Sequence, residues 1–170
     1  SKHVLITGAA SGIGKIMLRM ALEKGAAKVL AWDRDELGLN ALSAKFPEYA
    51  SRIEVRVVDL SDRALLTEEG ESWLGSTQVD ILINNAGIVV GKMFHEHSLN
   101  DIDRSMQINT QALMQLAHFV IPGMMKRNEG VICNIASLAG LVSNPRMSVY
   151  AASKWAVIGW SDSLRLEMKQ

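Results

Sequence analysis

A parallel β-sheet wound on both faces by helices, an α/β fold, is predicted by three features of the chain. Short apolar, β-branched runs alternate with stretches of helical periodicity along its whole length. The first run opens into a glycine-rich turn, Gly8-Ala9-Ala10-Ser11-Gly12-Ile13-Gly14. Asp33, Asp59, Asn85 and Ser137 each follow the carboxyl end of a strand, where open parallel sheets bind their ligands.

Taken in order, His3 to Thr7 reads as a buried strand that stops at Gly8, and Lys15 to Lys24 as a helix with apolar positions Ile16, Leu18, Met20 and Leu22. The turn between them presents backbone N–H groups at the positive end of the helix, a phosphate site. Read alone, it is also compatible with an ordinary βα turn carrying spare glycines. Lys28 to Trp32 is the second strand, with Asp33 at its end. A carboxylate there accepts hydrogen bonds from both adenosine ribose hydroxyls and repels a 2′-phosphate, so NAD is expected and NADP, to which the adjoining Arg34 points, is the less favoured alternative.

Leu37 to Phe46 is a helix closed by Pro47, and Ile53 to Val58 a third strand leading to Asp59 and Leu60. Asp59 suits an adenine amino group, an N-cap of the next helix, or both. Ala64 to Ser76 is a weak helix, and Val79 to Ile83 a strand running into Asn84-Asn85-Ala86-Gly87, whose small and amide residues admit a flat ligand. His95-Glu96-His97 lacks a third ligand and is read as surface, so no metal is expected. Ser98 to Asp101 has the form of a capping box opening a long helix that Pro122-Gly123 kinks or ends. Asn109 lies inside it, at home only if buried toward a site. Gly130 to Ile135 is the fifth strand, reading as fully buried, and a helix from Val149 or Tyr150 runs to about Met168.

Composition narrows the function. The chain has 170 residues, 48% apolar and 21% charged, which suits one domain with a real core. Lys plus Arg and Asp plus Glu are both 18, so charge makes no case for nucleic acid. Cys133 is the one cysteine, which points to a reducing, cytoplasmic setting, and no apolar run is long enough to span a membrane.

Tyr150 and Lys154 stand one helical turn apart on a common face. A phenol is a weak acid at neutral pH, and a fixed ammonium nearby stabilises its ionised form. Together with a hydroxyl from Ser137 the pair can move a proton on or off a substrate oxygen. By itself the spacing is equally that of an aromatic ring packed under an aliphatic stem.

Thr7-Gly8-x-x-x-Gly12-x-Gly14, Asp59, Asn84-Asn85-Ala86-Gly87, Asn109, Ser137 and Tyr150-x-x-x-Lys154 together resemble the short-chain dehydrogenase/reductase family across essentially the whole chain. The resemblance implies a Rossmann-type sheet and NAD(P)-linked interconversion of an alcohol and a ketone or aldehyde. It implies Tyr150 as the acid/base, Ser137 as a second bond to the substrate oxygen, Lys154 on the nicotinamide ribose, and Asn109 supporting a water that links Lys154 to solvent. Gly8, Ser11, Gly12, Ile13 and Gly14 would surround the pyrophosphate, and Asp33 would hold the adenosine ribose. Asp59 and Leu60 would flank the adenine, and Asn85, Ala86, Gly87 and Ile108 the nicotinamide side. Relatives that prefer NADP often carry a basic residue before the middle glycine, where this chain has Ser11.

Relatives continue with two further strands and a substrate loop, so residues 1–170 are read as a single dinucleotide-binding domain truncated at its C-terminus, lacking those last two strands, with the apolar fifth strand expected as an exposed edge. The expected substrate is a small hydrophobic alcohol or carbonyl compound, with Val89, Val90, Met93, Leu138, Leu141, Val142 and Met147 as lining. Apolar faces on the later helices favour a homodimer or homotetramer. The competing readings are a dinucleotide-binding sensor or scaffold without turnover, and an inactive fragment.

Overall fold

The computed structural model describes residues 2–169. Five strands, β1 (His3–Thr7), β2 (Lys28–Asp33), β3 (Ile53–Val57), β4 (Ile81–Asn84) and β5 (Val131–Asn134), form one parallel sheet in the order β3-β2-β1-β4-β5. The order reverses at β1, whose carboxyl end therefore opens onto the switch-point crevice.

Alternation along the central strands builds a core on each face. Leu5, Leu30, Trp32 and Leu82 point one way, onto Leu66 of α3 (Arg63–Glu69) and Leu116 and Val120 of α5 (Ala112–Arg127). Val4, Ile6, Val29 and Ala31 point the other way, onto Leu18 of α1 (Gly12–Glu23) and Leu39 and Leu42 of α2 (Glu36–Lys45). The doubly wound arrangement expected from the sequence is the one observed.

Two local expectations are corrected. Pro122 does not end its helix. α5 runs on to Arg127 and stops where Asn128 turns left-handed at φ 52°. Leu116, Val120 and Met124 keep it seated on the sheet through the one backbone bond that the proline removes. Next, α3 is capped by Asp62, whose carboxylate accepts from Leu65 N at 3.0 Å, so Asp59 is not its N-cap. β5 is an edge strand with its apolar Val131 55% exposed, which matches the expected exposed edge.

The capping box is present: Ser98 Oγ accepts from Asp101 N and Asp101 Oδ2 from Ser98 N, opening α4 (Leu99–Met106). A wide π-type turn, Gln107–Gln111, joins α4 to α5 and contains Asn109. The last helix, α6 (Ser148–Glu167), carries Tyr150 and Lys154 in its first two turns. No described helix is long and apolar enough to cross a membrane.

Candidate active site

The cleft at the carboxyl ends of β1, β2 and β4 has a volume of about 360 Å³, within the range of small-molecule sites. Gly8, Ser11, Gly12, Ile13, Asp33, Asp59, Leu60, Asn85, Ala86, Gly87 and Ile108 line it. Arg34, which the sequence sets beside Asp33, lines it too, as do Trp32, Val58 and Ile88, to which the sequence assigns no role. Trp32 and Val58 looked like plain strand residues, and only position in the sheet brings them to the cleft.

The glycine turn is dictated by close packing. Gly8 and Gly12 have φ of 68° and 50°, a left-handed conformation that glycine adopts without strain. Gly14 does not line the cleft but lies beneath it. A Cβ built there would fall 2.0 Å from Gly8 O and 2.6 Å from Asn85 Nδ2. The start of α1 thus lies against the end of β1, and Asn85 locks both. Its Nδ2 donates to Thr7 O at 3.0 Å and Gly8 O at 3.3 Å, while Thr7 Oγ1 accepts from Asn85 N and Ala86 N.

Two carboxylates stand at the far side. Asp33 accepts from Ala10 N on one oxygen and Asp35 N on the other, both at 3.0 Å, which pins it to the wall. Asp59 accepts from Ser61 N at 2.8 Å and Ser61 Oγ at 2.7 Å. Burial pushes its pKa up, but those bonds, with Arg34 and Arg104 nearby, outweigh burial and hold it below the usual carboxylate value.

At the other end, a Cβ on Gly87 would lie 3.3 Å from Asn109 Oδ1 and 3.6 Å from Lys154 Nζ, so both side chains reach the cleft's edge. Asn109 is fully buried. Its amide donates to Ile88 O at 2.9 Å and Ser153 Oγ at 3.1 Å, and its oxygen accepts from Ile88 N at 2.8 Å. The π-type turn resolves the sequence puzzle of an asparagine in mid-helix, since it brings a buried amide onto the loop after β4.

Lys154 is 4% exposed and donates to Ile135 O at 2.7 Å. Burial pushes its pKa below the ordinary lysine value. Its Nζ lies 5.9 Å from the centre of the Tyr150 ring. Ser137 ends the β5 segment and caps the following turn, its Oγ accepting from Ala139 N at 3.2 Å. That turn rests directly on α6, because a Cβ at Gly140 would lie 2.9 Å from Lys154 O. His95 is exposed, whereas both ring nitrogens of His97 are buried without a partner, so its surface reading is not met.

Fold and cleft define a dinucleotide-binding α/β protein. The family described as short chain dehydrogenase matches residues 2–170. The chain is 39% identical to the ketoacyl reductase HetN of a Nostoc species, covering 98% of this chain and 58% of that protein. It is 38% identical to 3beta-hydroxysteroid dehydrogenase 2 of Eggerthella lenta, covering 91% and 60%. The bulky-bulky ketone specific alcohol dehydrogenase of Comamonas testosteroni superposes with a TM-score of 0.93 at 32% identity, covering 99% of this chain and 68% of that one. A 4-hydroxyisoleucine dehydrogenase complexed with NADH superposes at 0.88 and 29% identity, and a Sphingobium yanoikuyae short-chain dehydrogenase in complex with NADPH at 0.93 and 33%. This chain belongs to the short-chain dehydrogenase/reductase family, the NAD(P)-linked oxidoreductases. It spans about 60% of the length of the two curated relatives named here.

Proposed function

We propose that the chain interconverts an alcohol and its ketone or aldehyde using NAD, with Tyr150 as the acid/base. The observation that carries this reading is Lys154. Its amine is buried beside Tyr150 and bonded to a backbone carbonyl, at the edge of a cleft fitted for a dinucleotide. Burying an amine without a carboxylate partner is costly, and such costs concentrate at functional sites.

The cleft's residues fit the cofactor. Gly8 and Gly14 let the start of α1 lie against the end of β1, so the turn offers backbone rather than side chains where a pyrophosphate would bind. Ser11, Gly12 and Ile13 would continue that cradle, with Asp33 on the adenosine ribose, Asp59 and Leu60 at the adenine, and Asn85, Ala86, Gly87 and Ile108 toward the nicotinamide. When bound, the nicotinamide supplies hydride chemistry. The protein's task is the proton. In oxidation the substrate hydroxyl gives its proton to Tyr150 Oη; in reduction Tyr150 Oη–H gives it to the carbonyl oxygen. The Lys154 ammonium stabilises negative charge on that phenol oxygen. Ser137 Oγ hydrogen-bonds the substrate oxygen, and Asn109 holds Ile88 and the water path to Lys154.

The preference for NAD rests on Asp33. Both its oxygens are fixed by backbone N–H groups, so it does not swing aside for a 2′-phosphate. For the substrate, Leu138, Leu141, Val142, Val89 and Met93 are exposed around the site and support a hydrophobic compound. Exposed Leu99 on α4 and Trp155 on α6 support a homo-oligomer. The test is a panel of secondary alcohols and ketones, followed by the absorbance of reduced nicotinamide with NAD(H) and NADP(H). Turnover lost on Tyr150→Phe with NADH binding retained supports the reading; turnover that survives the substitution removes it.

A further inference from the structure

Two serines on α6 are wired in the same way. Ser153 Oγ accepts from Asn109 Nδ2 at 3.1 Å and donates to Tyr150 O at 2.7 Å. About two turns later, Ser161 Oγ accepts from Asn134 Nδ2 at 2.9 Å and donates to Val157 O at 2.6 Å. Asn134 in turn accepts at 2.8 Å from Asn84 Nδ2, on its in-register partner in β4. The second chain runs one way, from β4 through β5 to a helix carbonyl. Each bond in it polarises the next.

The first relay ties α6 to the π-type turn before α5, and the second ties it to the sheet. A helix held by side chains at one level can rotate about its axis; held at two levels and from two directions, it has one setting. Lys154 depends on that setting. Its amine reaches Ile135 O, and Ile135 N is itself held by Asn84 O at 2.9 Å. The residue that anchors the amine, just past the end of β5, therefore adjoins the one that anchors the helix.

We propose that Asn134 and Ser161 are positioning residues whose hydrogen bond sets the rotation of α6, and with it the places of Lys154 and Tyr150 at the cleft. This rests on the catalytic reading above. An apolar pair of similar shape can replace a half-buried polar pair with little loss of stability, but it defines no angle.

The test uses Ser161→Ala, Asn134→Leu, their combination and Ser161→Thr. Each of the first two lowers kcat about tenfold, because small misplacements of reacting groups are costly. The combination falls no further than the worse single variant, since one shared interaction is lost. Ser161→Thr keeps the hydroxyl and the wild-type kcat. Asn134→Leu melts at a lower temperature, because it strips the buried Asn84 amide of its acceptor, whereas Ser161→Ala stays near wild type, so its loss of kcat is one that a merely structural role would not produce. Acetylation of Lys154 by acetic anhydride, read by mass spectrometry, proceeds faster in Ser161→Ala than in wild type or Ser161→Thr. Unchanged kcat and unchanged labelling, with or without a lower melting temperature, overturn the proposal. If the wild-type chain reduces no carbonyl compound, the catalytic reading fails, and the labelling alone then decides the positioning role.

Discussion

Around β1 the cleft is shaped by side chains that are missing, whereas around α6 the site is held by side chains bonded to one another. At Gly14 there is no room for a methyl group, and the side proposed to hold the cofactor offers backbone N–H groups and the pinned Asp33. At α6 the proposed working groups, Tyr150 and Lys154, are long side chains on a helix tied down through Asn109, Ser153, Asn134 and Ser161. A backbone cradle is set by local geometry and resists disturbance elsewhere. A side-chain site is only as fixed as the polar contacts behind it. Substitutions in the two regions are therefore expected to separate binding from chemistry.

The largest separation is expected from Tyr150→Phe. Turnover falls about 10³-fold, in the range lost with an acid/base group, while NADH binding, measured by fluorescence, is unchanged. Gly14→Ala should break the other region. The added methyl meets Gly8 O, so urea unfolding reports a loss of about 3 kcal/mol, as for overpacking against backbone, and NADH affinity falls with it. A smaller effect, about tenfold in the ratio of NADP to NAD efficiency, is expected from Asp33→Ser, since the carboxylate that repels a 2′-phosphate is gone.

The subtlest outcome concerns stability at Lys154. Its pKa is lowered on folding, so between the folded value and 10.5 the unfolded chain binds more protons and stability rises with pH. Below that window the buried charge costs stability. Lys154→Met should therefore abolish turnover yet unfold no more easily than wild type at neutral pH. Denaturant melts from pH 7 upward should show any advantage of the variant shrinking as the pH approaches 10.5. A variant that is clearly less stable at neutral pH would show that the Ile135 bond outweighs the burial cost.

Much of this was legible in the sequence because it rests on local rules. Strand and helix alternation, the glycine turn and the capping box at Ser98 each follow from a few neighbouring residues, and each is found where the sequence places it. The failures have equally specific causes. Pro122 reads as a kink or an end, yet packing of Leu116, Val120 and Met124 carries α5 on through it to Arg127. Asp59 and Asp62 are both suitable caps, and only the folded turn shows Asp62 bonded to Leu65 N. Ser161 and Asn134 carried no signal at all. A serine in a helix and an asparagine at a strand end are ordinary until they are seen 2.9 Å apart.

Sequence alone determined the parallel α/β architecture, the glycine turn after β1 and the pairing of Tyr150 with Lys154 on one helix face, because periodicity, glycine content and helical spacing act over a few residues. Tertiary structure decided that Lys154 is buried on Ile135 O, that Asn109 enters through a π-type turn, and that two relays hold α6. Those contacts join residues distant in the chain, and their geometry exists only once the sheet has brought the strand ends together.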